Sequence, residues 1–140
     1  LDYVRYSKAP CLIERHGRPV AALIDYSDYQ KAMQGSQHQK WLDQAIDQIK
    51  RHYDPEKIVL FGSFASGNAK EGSDIDLFIV KKTNKRRLDR VDEVLDLIDP
   101  ENPVELHIYT PQEVEKRLKQ GDFFIRQVLE KGKLLYEKSG

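Results

Sequence analysis

Two periodicities divide the chain. In APCLIERHGRPVAALIDY, residues 9–26, short apolar runs flank His16-Gly17, and the pattern predicts a β-hairpin whose turn uses a glycine at positive φ. Ser27-Asp28-Tyr29-Gln30 then reads as a capping box opening a short helix, with Gln30 three residues after the serine. The polar stretch QGSQHQ, residues 34–39, contains Gly35 and reads as a linker.

From Lys40 onward strands and helices alternate. Leu42, Ile46, Ile49 and Tyr53 fall at helical spacing, and Asp54-Pro55 stops that helix before the strand KIVLF. DIDLFIV is a second strand. Leu88, Val91, Leu95 and Ile98 mark one face of a second helix, halted near Pro100, and PVELHIY is a third strand. Thr110-Pro111-Gln112-Glu113 supplies an N-cap, a proline at the first helical position and a glutamate at the third. That helix ends by Gly121, DFFIRQVLEK forms another stopped by Gly132, and LLYE closes the chain as a short strand. The expectation is an α+β (mixed α/β) fold: a mixed sheet flanked by helices, preceded by an N-terminal hairpin and short helix. Two segments are expected, residues 1–34 and 35–140.

Composition narrows the class. A chain of 140 residues is the size of one ordinary domain, or of a small domain with an appendage. Its 23 basic and 23 acidic residues cancel, so it lacks the basic excess of a protein that lives on nucleic acid. The one cysteine, Cys11, excludes an internal disulfide framework and fits a reducing, cytoplasmic setting. No apolar run is long enough for a membrane span. Leu1 rather than Met opens the sequence, and a longer natural N-terminus is expected.

The chemistry concentrates in FGSFASGNAKEGSDIDLFIV, residues 61–80. Alternate side chains on a strand share a face, so Asp74 and Asp76 project together while Ile75, Leu77 and Ile79 pack the other side. Two adjacent carboxylates repel, so one holds a proton or both share a cation. Hard oxygen ligands suit Mg²⁺, which keeps several waters and shares its remaining positions with phosphate oxygens. Upstream, Gly62 permits close backbone approach and Ser63 offers a hydroxyl and an amide, the parts of a phosphate cradle. Glu105, on the next predicted strand, is the candidate third carboxylate. Together these parts suit phosphoryl or nucleotidyl transfer.

Gly62-Ser63 followed after ten residues by Asp74-Ile75-Asp76 matches the signature of the nucleotidyltransferase superfamily. GSFASGNAKEGSDIDLFIV, with the closing DFFIRQVLEKGKLLYE, resembles the minimal nucleotidyltransferases (MNT proteins), themselves similar to a trimmed polymerase-beta-type core, over residues 40–137. The resemblance implies Mg²⁺ on Asp74, Asp76 and Glu105 as catalytic residues, and a nucleoside triphosphate held by Gly62 and Ser63. Two departures stand out: the third acid is usually Asp in that family, and the position of Ser66 is often basic. The resemblance also implies a partner, a helical HEPN-type toxin to which an MNT antitoxin transfers AMP from ATP. Two other readings of the same fold are an antitoxin that acts by binding alone and a DNA-binding autoregulator.

SKAPCLIERHGRPVAALIDYSDYQKAM is similar to the Phd/YefM antitoxins in Arg15 through Pro19, Val20, Ala21, Leu23, Asp28 and Tyr29. In that family the module dimerises and binds operator DNA. Here LDYVRYSK matches only the tail of its first helix, so DNA binding would require a longer native chain, and a homodimer is the partner implied.

Several residues read more plainly. His107 would share a face with Glu105, where it could assist as a base or hold the substrate phosphate, but it reads more simply as a strand-end histidine. The run Lys81-Lys82-Thr83-Asn84-Lys85-Arg86-Arg87 reads as solvated loop and first-turn charge. Trp41, Phe123 and Phe124 sit at helical positions as core or partner-interface residues. His16, His38, His52 and Cys11 lack metal-ligand spacing.

Overall fold

The computed structural model describes residues 11–62, 65, 74–98 and 103–139, with residues 34, 36 and 37 given by their backbone alone. The LDYVRYSK segment, Ser63, Ser66 and Pro100 therefore lie outside the described residues. The chain divides into two compact units, residues 1–41 and 42–140.

In the first unit, β1 (Cys11–Arg15) and β2 (Arg18–Leu23) form the expected antiparallel hairpin. His16 and Gly17 both take positive φ, 53° and 76°, the combination that a two-residue hairpin turn needs to match strand twist. A register irregularity at Ile13/Glu14 interrupts the ladder. Leu12, Ile13, Val20 and Leu23 are all exposed.

The helix that follows differs from expectation. A single helix, α1 (Tyr26–Tyr53), takes in both the short helix and the stretch 34–39 read as a linker. The unit boundary, between Trp41 and Leu42, falls inside it. One helical glycine costs only about 1 kcal/mol relative to alanine, too little to break a helix of this length. The cap also moves: Asp25, not Ser27, accepts from the Ser27 backbone N–H (2.8 Å) and from the Ser27 hydroxyl (2.5 Å). An aspartate just before the first turn satisfies an otherwise orphaned amide.

The second unit is built on a four-stranded sheet in the order β5-β4-β3-β6. Its strands are β3 (Lys57–Phe61), β4 (Ile75–Val80), β5 (Val104–Tyr109) and β6 (Lys133–Glu137). β3 runs antiparallel to both β4 and β6, whereas β4 and β5 are parallel, so the sheet is mixed as expected. The parallel pair requires a crossover, and α2 (Arg87–Leu95) lies within it. After β5 come α3 (Pro111–Lys119) and α4 (Phe123–Lys131). The capping box at α3 is present as read: the Thr110 hydroxyl accepts from the Glu113 N–H at 3.1 Å and the Glu113 carboxylate accepts from the Thr110 N–H at 2.7 Å.

Both faces of the sheet are buried. Val59, Phe78, Val80 and Tyr109 pack with Ile125 and Val128 of α4, backed by Val114 and Leu118 of α3. On the alternate positions Ile58, Leu60, Ile75, Leu77, Ile79 and Ile108 are equally buried, as are Leu42, Ala45, Ile49 and Tyr53 along α1. Gly132 ends α4 where a Cβ would press on the Leu60 carbonyl at 3.1 Å and on a Val59 methyl at 2.5 Å.

The face that apolar spacing predicts for α2 is buried only in part: Ile98, just past the helix, is buried and Val91 half-buried, but Leu88 and Leu95 are exposed, and Arg90 and Val94 are buried instead. Arg90 tolerates burial because its guanidinium donates to the Lys85 carbonyl (2.8 Å), the Ile108 carbonyl (3.2 Å) and the Glu113 carboxylate (2.7 Å). Burial alone would raise the Glu113 carboxyl, but the Thr110 amide and the Arg90 guanidinium outweigh it and hold it below the ordinary range.

The basic run after β4 is largely absorbed by the fold. Lys81 donates to the carbonyls of Tyr53 (2.5 Å) and Asp54 (3.3 Å), satisfying the C-terminal end of α1 and complementing its dipole. Lys85 pairs with Glu93, Arg86 with Asp89, and Arg87 lies over the Tyr109 ring at 4.5 Å. Asp54 leaves α1 in the left-handed region, φ 51°, and pairs with Lys138 at 3.0 Å. Among the described residues no helix is long and apolar enough to cross a membrane.

Candidate active site

The site grows out of one face of the sheet. Reading from the core toward the edge of the packed region, that face carries Val80, Phe78 and Asp76 on β4, and Tyr109, His107 and Glu105 on β5. On β3 it carries Val59 and Phe61. The apolar row is the floor on which α3 and α4 pack, and its last members are charged.

Register brings these last members together. Asp76 is the ladder partner of Glu105, Phe78 of His107, and Phe61 of Asp76. Oxygen or nitrogen atoms of Asp76, Glu105 and His107 all lie within 4.8 Å of one another. His107 Nε2 stands 3.2 Å from Glu105 Oε1. Asp74 precedes the first residue of β4 and is exposed; it lies outside this close cluster, although its charge reaches Asp76.

The electrostatics favour a cation. Burial pushes the Asp76 carboxyl above the ordinary range; the Glu105 charge and a hydrogen bond to Glu105 add to the rise, His107 opposes it, and Asp74 adds a little. A carboxyl held up by burial and by a second acid is relieved when a positive charge enters. The donor set, two carboxylates and an imidazole, fits a divalent metal ion.

Gly62 completes the arrangement. It sits just past Phe61 at φ 74°, and a Cβ there would lie 3.2 Å from Asp76 Cγ and collide outright with Oδ2. Glycine is therefore required twice, by conformation and by the nearness of the acid. Ser63, expected beside it, lies outside the described residues.

His107, which the sequence offers as a base, a phosphate contact or a plain strand-end residue, stands in the acidic cluster. The spacing Glu105-x-His107 already placed both on one face; what was missing was the aromatic setting and the strand pairing. The imidazole forms a triangle with Phe61 and Phe124, with ring centroids 5.3 Å (His107–Phe61), 5.2 Å (His107–Phe124) and 5.5 Å (Phe61–Phe124). Phe123 and Phe124 are both exposed, so neither is a core residue. Behind Gly62 a cleft of about 230 Å³ opens between Phe61 and α4, walled by Phe124, Gln127 and Lys131.

The chain is similar to several known proteins. Residues 43–140 match the family model described as polymerase beta, nucleotidyltransferase. A protein of Methanocaldococcus jannaschii named "Putative protein adenylyltransferase MJ1305" is 38% identical over 60 residues, a span of 41% of this chain and 41% of that relative's length. A crystal structure of a protein from Sulfolobus solfataricus, described as a "putative nucleotidyltransferase", superposes with a TM-score of 0.52 at 20% identity, covering 71% of this chain and 79% of that one. At that identity the superposition speaks for the fold alone.

Proposed function

Because the chain belongs to the polymerase beta nucleotidyltransferase family, we propose that it transfers AMP from ATP to a hydroxyl group of a partner protein. In this reading Asp74, Asp76 and Glu105 hold Mg²⁺, and Gly62 and Ser63 receive the triphosphate. The carrying observation is the pairing of Asp76 with Glu105 in the β4–β5 ladder, with Gly62 pressed against the same carboxylate. When bound, the metal neutralises charge on the triphosphate and acidifies the attacking hydroxyl.

The chain's own residues supply position and proton handling. Gly62 lets the turn after β3 come against Asp76. The acceptor oxygen forms a bond to the α-phosphorus as the bond from that phosphorus to the bridging oxygen breaks. Pyrophosphate leaves with the electron pair, and the hydroxyl proton passes to the Glu105 carboxylate and on to water. The cleft behind Gly62, walled by Phe61 and Phe124 with the Gln127 amide, offers a nucleobase an apolar wall and a hydrogen-bonding edge.

The acceptor in this reading is a tyrosine of a HEPN-type helical toxin, and the protein is its cytoplasmic MNT antitoxin. The resemblance of residues 40–137 to MNT proteins supports this partner, while the name of the M. jannaschii relative speaks only for a protein as the acceptor. Residues 1–34 are read as a Phd/YefM-like appendage that mediates self-association. Intact-mass spectrometry of a helical toxin co-expressed with the protein tests the proposal. The expected result is an AMP adduct with the wild type and none with Asp76→Asn. Neutralisation without any adduct would replace the enzyme by an antitoxin that acts through binding.

A further inference from the structure

We propose that His107 is itself a metal ligand and makes this centre take Mn²⁺ in preference to Mg²⁺, an inference that rests on the nucleotidyltransferase reading above. Three observations carry it. The donor atoms that converge most closely among the described residues are two carboxylates and an imidazole, from Asp76, Glu105 and His107, mutually within 4.8 Å. The register of the parallel ladder delivers them: Asp76 lies opposite Glu105, and His107 follows Glu105 on the same face. The ring is held by contact with Phe61 and Phe124 while Nε2 stands 3.2 Å from Glu105 Oε1. The aromatic corner orients the imidazole toward the acids, as a ligand must be oriented before the ion arrives.

The consequence for ion choice follows from donor chemistry. Mg²⁺ demands oxygen ligands in near-ideal octahedral geometry and gains little from an imidazole. Mn²⁺ accepts carboxylates equally well, and as a transition-series ion it also gains from a nitrogen donor. One imidazole added to two carboxylates therefore raises affinity for Mn²⁺ and leaves that for Mg²⁺ where the carboxylates set it.

The test uses the full chain with each ion alone. Wild type, His107→Phe and Asp76→Asn are titrated with MnCl₂ and MgCl₂ by calorimetry, and bound Mn²⁺ is examined for ¹⁴N coupling by pulsed electron paramagnetic resonance. Phenylalanine keeps the ring among Phe61 and Phe124 but removes both nitrogens. The expected result is ¹⁴N coupling in the wild type and a fall in Mn²⁺ affinity of at least about tenfold in His107→Phe, with Mg²⁺ affinity unchanged. Mn²⁺ bound in an Asp76-dependent way but without ¹⁴N coupling would overturn the His107 assignment alone. Binding of neither ion would overturn it together with the metal-dependent reading. The coupling is read on wild-type protein, so it decides the matter even if His107→Phe folds poorly.

Discussion

Asp76 and Glu105 face each other across the parallel β4–β5 ladder, so two carboxylates far apart in sequence share one small, partly buried volume. Their closeness burdens the metal-free protein. Asp76 has a raised folded-state pKa, so protonation stabilises the fold below the unfolded-state value, and that stability is lost as pH rises through the folded one. At neutral pH the ionised carboxylate is a cost. Asp76→Asn, which can still donate to Glu105, is expected to raise the metal-free melting temperature at pH 7, with the gain shrinking toward pH 4. The same variant is expected to lose the stabilisation that MgATP gives the wild type. Differential scanning fluorimetry with and without MgATP reads both effects; an unchanged MgATP response in the variant would remove Asp76 from the site.

Gly62→Ala should be far worse than an ordinary surface change. The left-handed backbone costs an alanine roughly 1 kcal/mol or more, and the new methyl meets the Asp76 carboxylate. The expected outcome is a fold weakened by about 1–3 kcal/mol in urea denaturation, together with loss of nucleotide binding. Wild-type affinity for MgATP in this variant would contradict the placement of the phosphates beside Gly62.

Arg90 links α2, β5 and α3 through one guanidinium. Glu113 has a depressed pKa, so its contribution is present above the unfolded value and is lost as pH falls through the folded one. Glu113→Gln is expected to cost about 1–2 kcal/mol at pH 7 and progressively less in acid. Arg90→Ala, which leaves Glu113 without its partner, is expected to cost about 3 kcal/mol. A difference between Glu113→Gln and wild type that did not narrow with acidification would argue against the ion pair.

Tyr53 is buried at the end of α1, and its hydroxyl oxygen has no hydrogen-bond partner among the described residues. Burial pushes its pKa up to about 12, with Glu93 adding to the rise and Arg90 opposing it. Tyr53→Phe should therefore be neutral or stabilising by about 1 kcal/mol, since it removes an unsatisfied group and keeps the ring beneath the Lys81 ammonium. Clear destabilisation would reveal a bound water or ligand on that hydroxyl.

Much of this was legible in the sequence because local rules sufficed. The His16-Gly17 turn, the Thr110 capping box and the strands KIVLF, DIDLFIV and PVELHIY each follow from spacing within a few residues. The misses are non-local. Residues 34–39 looked like a linker because polarity and one glycine were weighed without the helix on either side. Leu88 and Leu95 face outward and Arg90 inward because three oxygens outside α2 receive the Arg90 guanidinium, which an apolar count does not register. The role of His107 stays open in the sequence because periodicity gives the face of a residue but not which strand lies beside it.

That last point bears on how the site comes into being. β3 and β4 are neighbours in sequence and can pair early, but Glu105 and His107 arrive only when α2 has carried the chain across and β5 has docked parallel to β4. Parallel pairing across such a crossover is a long-range event, entropically costly until the intervening helix packs. Before that moment Asp74 and Asp76 lack Glu105 and His107 beside them. A cation that needs Asp76, Glu105 and His107 together would fasten a sheet that is already closed, as a latch rather than a mould.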